Sequence, residues 1–271
     1  MPKSVATEEE KISQQFTCRD SQGPPTDFKG VDIHHHGLTI TASQTEYLSH
    51  LHIPDAPTKS TKEEDNRTLT ESETSTLRSI AGKMAWVATC TSPLYAFHAS
   101  VALQRHTEEP GTPLSVLIST HAALRQAKEN QHAKLNYIPL DSPTTHIRIY
   151  ADAAFQNLRT KHSQIGFIVY LADKDDNVNI AHWHSSRAPR QPHSTDQAEL
   201  MALDIALRST ENMANIINTF YGRTIPVVLF IDCDTLWTNF MKETVPTIAE
   251  IGYRWRDSLR LSPPLGCTRH V

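Results

Sequence analysis

HIRIYADAAF (residues 146–155), QIGFIVYLAD (164–173) and NVNIAHWHSS (177–186) are the stretches whose reading decides the fold. Each is rich in β-branched and aromatic residues, and polar turns such as KDDN (174–177) separate them, so three successive strands are expected. The first carries an acid, Asp152, in its interior between apolar flanks. Outward from there, STDQAELMALDIALRSTENMANII (194–217) has the apolar spacing of a long helix, with Thr195 as a candidate N-cap and Asp196 in the first turn. PVVLFIDCDTLW (226–237) follows as an apolar strand ending in Asp232, with Asp234 two places later, and DTLWTNFMKE reads as a short helix. Three strands, a helix, a strand and a helix make an α/β layer with a mixed sheet.

Three acids occupy comparable places in this layer: Asp152 in the first strand, Glu199 in the first turns of the helix, and Asp232 at the end of the fourth strand. If the first and fourth strands pair, Asp152 and Asp232 come side by side, and a helix packed over them brings Glu199 near. Two carboxylates ~4 Å apart repel by roughly 4 kcal/mol at an effective dielectric of 20. Divalent cations remove that cost, and oxygen ligands without Cys or His favour Mg²⁺ or Mn²⁺. A pair of such ions can stabilise both the attacking and the leaving oxygen of a phosphoryl displacement. The competing reading is that each acid is a solvated turn residue.

These residues resemble the ribonuclease H domain of copia-type retrotransposon polyproteins. IYADAAF (149–155) is similar to that family's first-acid strand. WHSSRAPRQPHSTDQAELMAL (183–203) is similar to its W-x-S-x-R…ST-x-AE-x-x-AL segment, and LFIDCDTLW (229–237) to its third-acid strand. Upstream, LTESETSTLRSIAGKMAWVATCTSPLYAF (69–97) resembles the connection segment of the same polyproteins, and FKGVDIHHHGLTITASQTEYLSHL (28–51) resembles the tail of their reverse transcriptase.

The resemblance implies a ribonuclease-H-like mixed sheet flanked by helices in the C-terminal half. It implies a residual reverse-transcriptase tail over 1–57, a helical connection segment with a linker over 58–140, and a ribonuclease-H-like domain over 141–271. It implies Asp152, Glu199 and Asp232 as catalytic, metal-binding carboxylates for two Mg²⁺ or Mn²⁺ ions, and an RNA–DNA hybrid as substrate. Asp234 is not among the ligands it implies. Cys233 stands where the family has Ser or Asn. No Tyr-x-Asp-Asp follows an apolar strand, so the polymerase palm is not expected. The family's fourth acid is not matched either, because Asp257 stands in the wrong context, so a truncated domain with a weakened second metal site is expected. The alternative is an inactive remnant that acts as a nucleic-acid-binding or interaction module.

The rest of the chain fits these expectations. With 38% hydrophobic and 21% charged residues over 271 positions, the sequence supports a sizeable core. Its net charge of −4 provides no global field for phosphate backbones, so nucleic-acid contact needs a local patch or metal ions. RAPR (187–190) supplies Arg187 and Arg190 as candidate phosphate contacts, with a solvated loop as the alternative. Arg254, Arg256 and Arg260 with Tyr253 and Trp255 mix basic and aromatic residues as nucleic-acid surfaces do, and an amphipathic helix accounts for them equally well.

Cys18, Cys90, Cys233 and Cys267 are scattered and read as reduced thiols. No apolar run reaches the ~18 residues of a membrane span, and the polar N-terminus lacks a signal core, so a cytoplasmic or nuclear protein is expected. VDIHHH and LTIT around Gly37 read as a hairpin, followed by a helix from 44. Leu77, Ile80, Ala81, Met84 and Val87 mark one helix face, Pro93 breaks that helix, and another runs from Pro113 to about Ala133. Of His34, His35 and His36, at most His34 and His36 could share an ion, since adjacent strand residues face opposite sides, and a solvated hairpin strand is the preferred reading. His182 and His184 share a strand face near His193, with Trp183 turned to the core on the other side.

Overall fold

The structure is a computed structural model and describes residues 29–57, 61, 64–104, 111–156 and 162–230. Strands β1 (Asp32–His36) and β2 (Thr39–Ser43) form the expected antiparallel hairpin. Its turn is made possible by Gly37, whose φ of 61° lies in the left-handed region that a side chain disfavours. Helix α1 (Thr45–His50) follows, and a longer helix, α2 (Glu71–Cys90), begins in a capping box. There Thr70 Oγ1 accepts the Glu73 N–H, and the Glu73 carboxylate accepts the Thr70 N–H.

Pro93 does end that run. After a 3-10 turn at Pro93–Tyr95 the chain continues as α3 (Ala96–Leu103) and α4 (Leu114–Glu129). The predicted face of α2 is wholly buried: Leu77, Ile80, Ala81, Met84 and Val87 are all fully enclosed, against Leu117 and Leu124 of α4 and Leu48 and Leu51 beside α1. Each of the Leu, Ile, Met and Val side chains among them stabilises the fold by about 1.5–3 kcal/mol relative to exposure. Strand β3 (Lys134–Tyr137) then pairs antiparallel with β2, giving a three-stranded sheet of order β1-β2-β3. Sequence reading passed over β3, because its four residues, although they alternate polar and apolar, are too few to mark a strand by themselves and include one buried side chain, Leu135.

The second sheet contains β4 (His146–Ala154), β5 (Gln164–Ala172), β6 (Val178–Arg187) and β7 (Val227–Phe230), in the order β6-β5-β4-β7. The first three strands are an antiparallel meander, and β7 joins parallel to β4, as the mixed-sheet reading expects. A parallel neighbour needs a crossover, supplied by α5 (Thr195–Tyr221). Helix α5 lies over β4 and β5, with Leu203, Ala206 and Leu207 packed on Ile147, Ile149, Phe167 and Val169. Its N-cap is Ser194 rather than Thr195: the Ser194 hydroxyl accepts the Gln197 N–H, which makes Thr195 the first helical residue. At the other end Gly222, with φ 62°, closes the helix in the left-handed conformation. This is the mixed sheet flanked by helices that the sequence leads one to expect in this half of the chain.

The opposite face of the sheet meets the helical layer. Trp183 Nε1 donates to the Ala88 carbonyl of α2 at 2.6 Å. Gln164, only 4% exposed, donates from Nε2 to Ser100 Oγ of α3 and to Ser185 Oγ, and its Oε1 accepts from Gln104 Nε2. Among the described residues no helix is long and apolar enough to cross a membrane. Cys90 is a free, partly buried thiol, and the other three cysteines lie outside the described residues.

Candidate functional site

Strand alternation sorts β4 into two faces. Ile147, Ile149 and Ala153 are buried on the side of α5, whereas Tyr150, Asp152 and Ala154 are exposed on the other. Near the end of the strand the helix comes close. Ala198 and Ala202 of α5 form one buried cluster with Ala153, Ile165 and Ala188, and their small side chains permit that approach. Ala153 adjoins Asp152, and Ala198 adjoins the half-buried Glu199. Residues next to two of the expected acids therefore belong to one alanine cluster, while the Asp152 side chain stands on the sheet face away from it.

Asp152 lies opposite Gly166, and among the described residues its carboxylate has no hydrogen-bond or ion-pair partner. Its neighbour on the same face, Tyr150, stacks on Phe230 of β7 with ring centres 4.3 Å apart and planes 10° apart. Tyr170 meets Tyr150 edge-on at 5.8 Å. This aromatic group went unnoticed in the sequence, because its members come from three strands. The β4–β7 register runs Ile147 with Val227, Arg148 with Val228, Ile149 with Leu229 and Tyr150 with Phe230. Asp232, Cys233 and Asp234 lie outside the described residues, as do the helix expected after them, Asp257 and the arginines from 254 to 260.

Arg187 ends β6 opposite Gln164, which is itself opposite Ala154. It therefore shares the Asp152 face, two strands away. Arg190 is exposed in the loop leading to α5. His182 and His184 stand on the α5 side, each in ring contact with Phe167 at 5.3 and 5.8 Å. Burial pushes both imidazoles below the ordinary histidine range, and His182 lowers His184 further. The backbone N–H of exposed His193 donates to Gln197 Oε1. Among the described residues no three His, Cys, Asp or Glu side chains form a metal-ligating group.

Asp173 is a second residue that sequence reasoning left out, although the DKDDN pattern around it is the signal of an Asx-type turn. It is buried in the β5–β6 connection. Its carboxylate accepts from the Asn177 amide and from the backbone N–H groups of Asp141, Asp175 and Asn177. Burial pushes this carboxyl up, but the four hydrogen bonds outweigh it and hold the group at about 2.

Carboxylates are hard oxygen donors; Asp152 offers one that is accessible on one face of the sheet, and Glu199 stands half-buried on the helix that covers the other face.

No family model matches the chain, and no curated protein matches it. Among solved structures the chain is similar to three of a foamy-virus protease–reverse transcriptase. With the complex containing double-stranded DNA it shares 17% identity at a TM-score of 0.25, over 42% of this chain and 59% of that one. For the native crystal structure of the prototype foamy virus enzyme the values are 16% and 0.25, over 57% and 20%. For the complex with an RNA/DNA hybrid they are 16% and 0.28, over 76% and 29%. The chain thus spans between 20% and 59% of the length of these proteins. Likeness of that degree says nothing of activity.

Proposed function

We propose that this chain is a retrotransposon-derived, copia-type ribonuclease H that hydrolyses the RNA strand of RNA–DNA hybrids. The observation that supports the reading is the parallel pairing of β4 with β7. Tyr150 lies opposite Phe230, and in the sequence Asp152 stands two residues beyond the one as Asp232 does beyond the other. Paired strands run ~4.8 Å apart, a spacing at which two carboxylates can share an ion.

On this reading Asp152, Glu199 and Asp232 hold two Mg²⁺ or Mn²⁺ ions. When bound, such ions lower the pKa of water and neutralise charge on the phosphate. The chain's own part is to bind and orient. Asp152 presents its carboxylate from a rigid strand, Glu199 is fixed by the alanine cluster beneath it, and Arg187 and Arg190 contact the phosphate backbone. Water attacks phosphorus, the bond to the 3′ oxygen breaks, and the products carry a 3′-hydroxyl and a 5′-phosphate. Preference for a hybrid comes from 2′-hydroxyls and duplex shape rather than base identity. Residues 1–57 and 58–140 act as reverse-transcriptase tail and connection segment, with the ribonuclease H domain from 141.

The orientation of Asp152, away from the cluster beside Glu199, favours a second reading, in which the sheet persists as a non-catalytic nucleic-acid-binding module. A labelled hybrid incubated with the purified chain and Mg²⁺ or Mn²⁺ separates the two. Cleavage by wild type that disappears in Asp152→Asn and Glu199→Gln supports the nuclease. Equal behaviour of wild type and both variants, with no Mn²⁺-dependent gain in melting temperature, leaves the module.

A further inference from the structure

From β1 we infer a second, chemically different metal site: His34 and His36 form a two-imidazole chelate for a borderline transition-metal ion of the Zn²⁺, Ni²⁺ or Cu²⁺ class. Alternation along β1 puts these two side chains on one face and His35 on the other. Their rings already face one another, with centres 6.3 Å apart and planes 23° apart. All three histidines are exposed, and β1 is the outer strand of its sheet, so an ion reaches the pair directly from solvent. A metal–imidazole bond is about 2.0–2.1 Å long and lies in the ring plane, so the two stacked rings must turn about their side-chain torsions for one ion to touch a nitrogen of each, a movement that their exposed positions allow. The antiparallel pairing with β2, from Asp32 opposite Ser43 to His36 opposite Thr39, holds the two Cα atoms at strand spacing and limits the entropy lost on chelation.

Two protein ligands leave the remaining coordination positions to water. Asp32 lies on the same face, and its Oδ2 already accepts the Ser43 hydroxyl and the Glu46 N–H. Imidazole ligands select against hard ions, so Mg²⁺ does not compete here. Among the softer ions the order of affinity is Cu²⁺ above Ni²⁺, with Zn²⁺ below Cu²⁺. The site is thereby independent of the acid face.

Titration of the full chain with Zn²⁺, Ni²⁺ and Cu²⁺, followed by calorimetry in excess Mg²⁺, tests the assignment. The chain has 15 histidines, so the variants carry the argument. One ion per chain is expected at this step. His34→Ala and His36→Ala should each weaken it by about tenfold or more, because a ligand is lost. His35→Ala and Asp152→Asn should leave it intact, and His34→Gln serves where His34→Ala perturbs the hairpin. Absence of saturable binding overturns the site, as does a loss in His35→Ala equal to that in its neighbours. A stoichiometry of one ion per two chains also overturns it, in favour of an ion bridging two outer strands.

Discussion

Glu73 carries two jobs with one carboxylate. It completes the capping box with Thr70, and it receives Arg67 Nη1 and Nη2 at 2.8 and 2.6 Å. Those Arg67 bonds, followed by the Thr70 N–H, hold its carboxyl at about 2, below an ordinary value of 4.5. A carboxyl depressed by folding contributes stability that is fully present above its unfolded value and is lost as pH falls through the folded one. Glu73 therefore contributes above about pH 4.5 and loses that contribution toward pH 2, and Asp173 does the same from about pH 3.8 downward. Melting temperature measured from pH 7 to pH 2 should fall over this window, and Glu73→Gln should flatten part of the fall. Thr70→Ala should cost about 1 kcal/mol of stability at neutral pH, read from denaturant unfolding.

At the level of elements, α5 depends on its two ends and on a stripe of small residues. Gly222 adopts φ 62°, so Gly222→Ala should cost about 1–2 kcal/mol of stability, the penalty of a side chain in the left-handed region. Ala198, Ala202 and Ala206 are fully or almost fully buried against the sheet. Ala202→Leu overfills that contact and should destabilise by about 1–3 kcal/mol. If Glu199 acts as proposed, Ala202→Leu should also reduce hybrid cleavage more than Gly222→Ala does, since Ala202 lies one turn beyond Glu199 and Gly222 lies at the far end. Equal losses of activity in the two variants would separate Glu199 from the proposed site.

Across the whole molecule, the two layers are joined by a few polar contacts. Gln164 ties β5 to Ser100 and Gln104, and Trp183 ties β6 to the Ala88 carbonyl. Gln164→Ala strands the partners it leaves in a buried setting and should cost about 1–3 kcal/mol, and Trp183→Phe should cost about 1–3 kcal/mol for the same reason. With the junction intact, urea unfolding followed by tryptophan fluorescence and by far-UV circular dichroism should superimpose. With Gln164→Ala the two traces should separate, because the layers are then held less firmly to each other. Coincident traces in that variant would show that the polar junction does not couple them.

Local pattern made much of this protein legible in advance. Apolar spacing marked α2 and α5, Gly37 marked the hairpin, Pro93 marked the break, and β-branched runs marked the four strands of the second sheet, since periodicity and backbone preference are properties of short segments. The cap of α5 was missed by one residue, because Ser194 and Thr195 offer the same chemistry and only backbone geometry chooses between them. Strand β3 was invisible, because four residues become a strand only when β2 supplies their hydrogen bonds. The pairing of Tyr150 with Phe230, the face on which Asp152 stands and the junction at Gln164 were likewise decided by tertiary structure. Sequence names candidate residues for chemistry. Which of them share a face depends on register between segments far apart in the chain, and only the folded sheet sets that register.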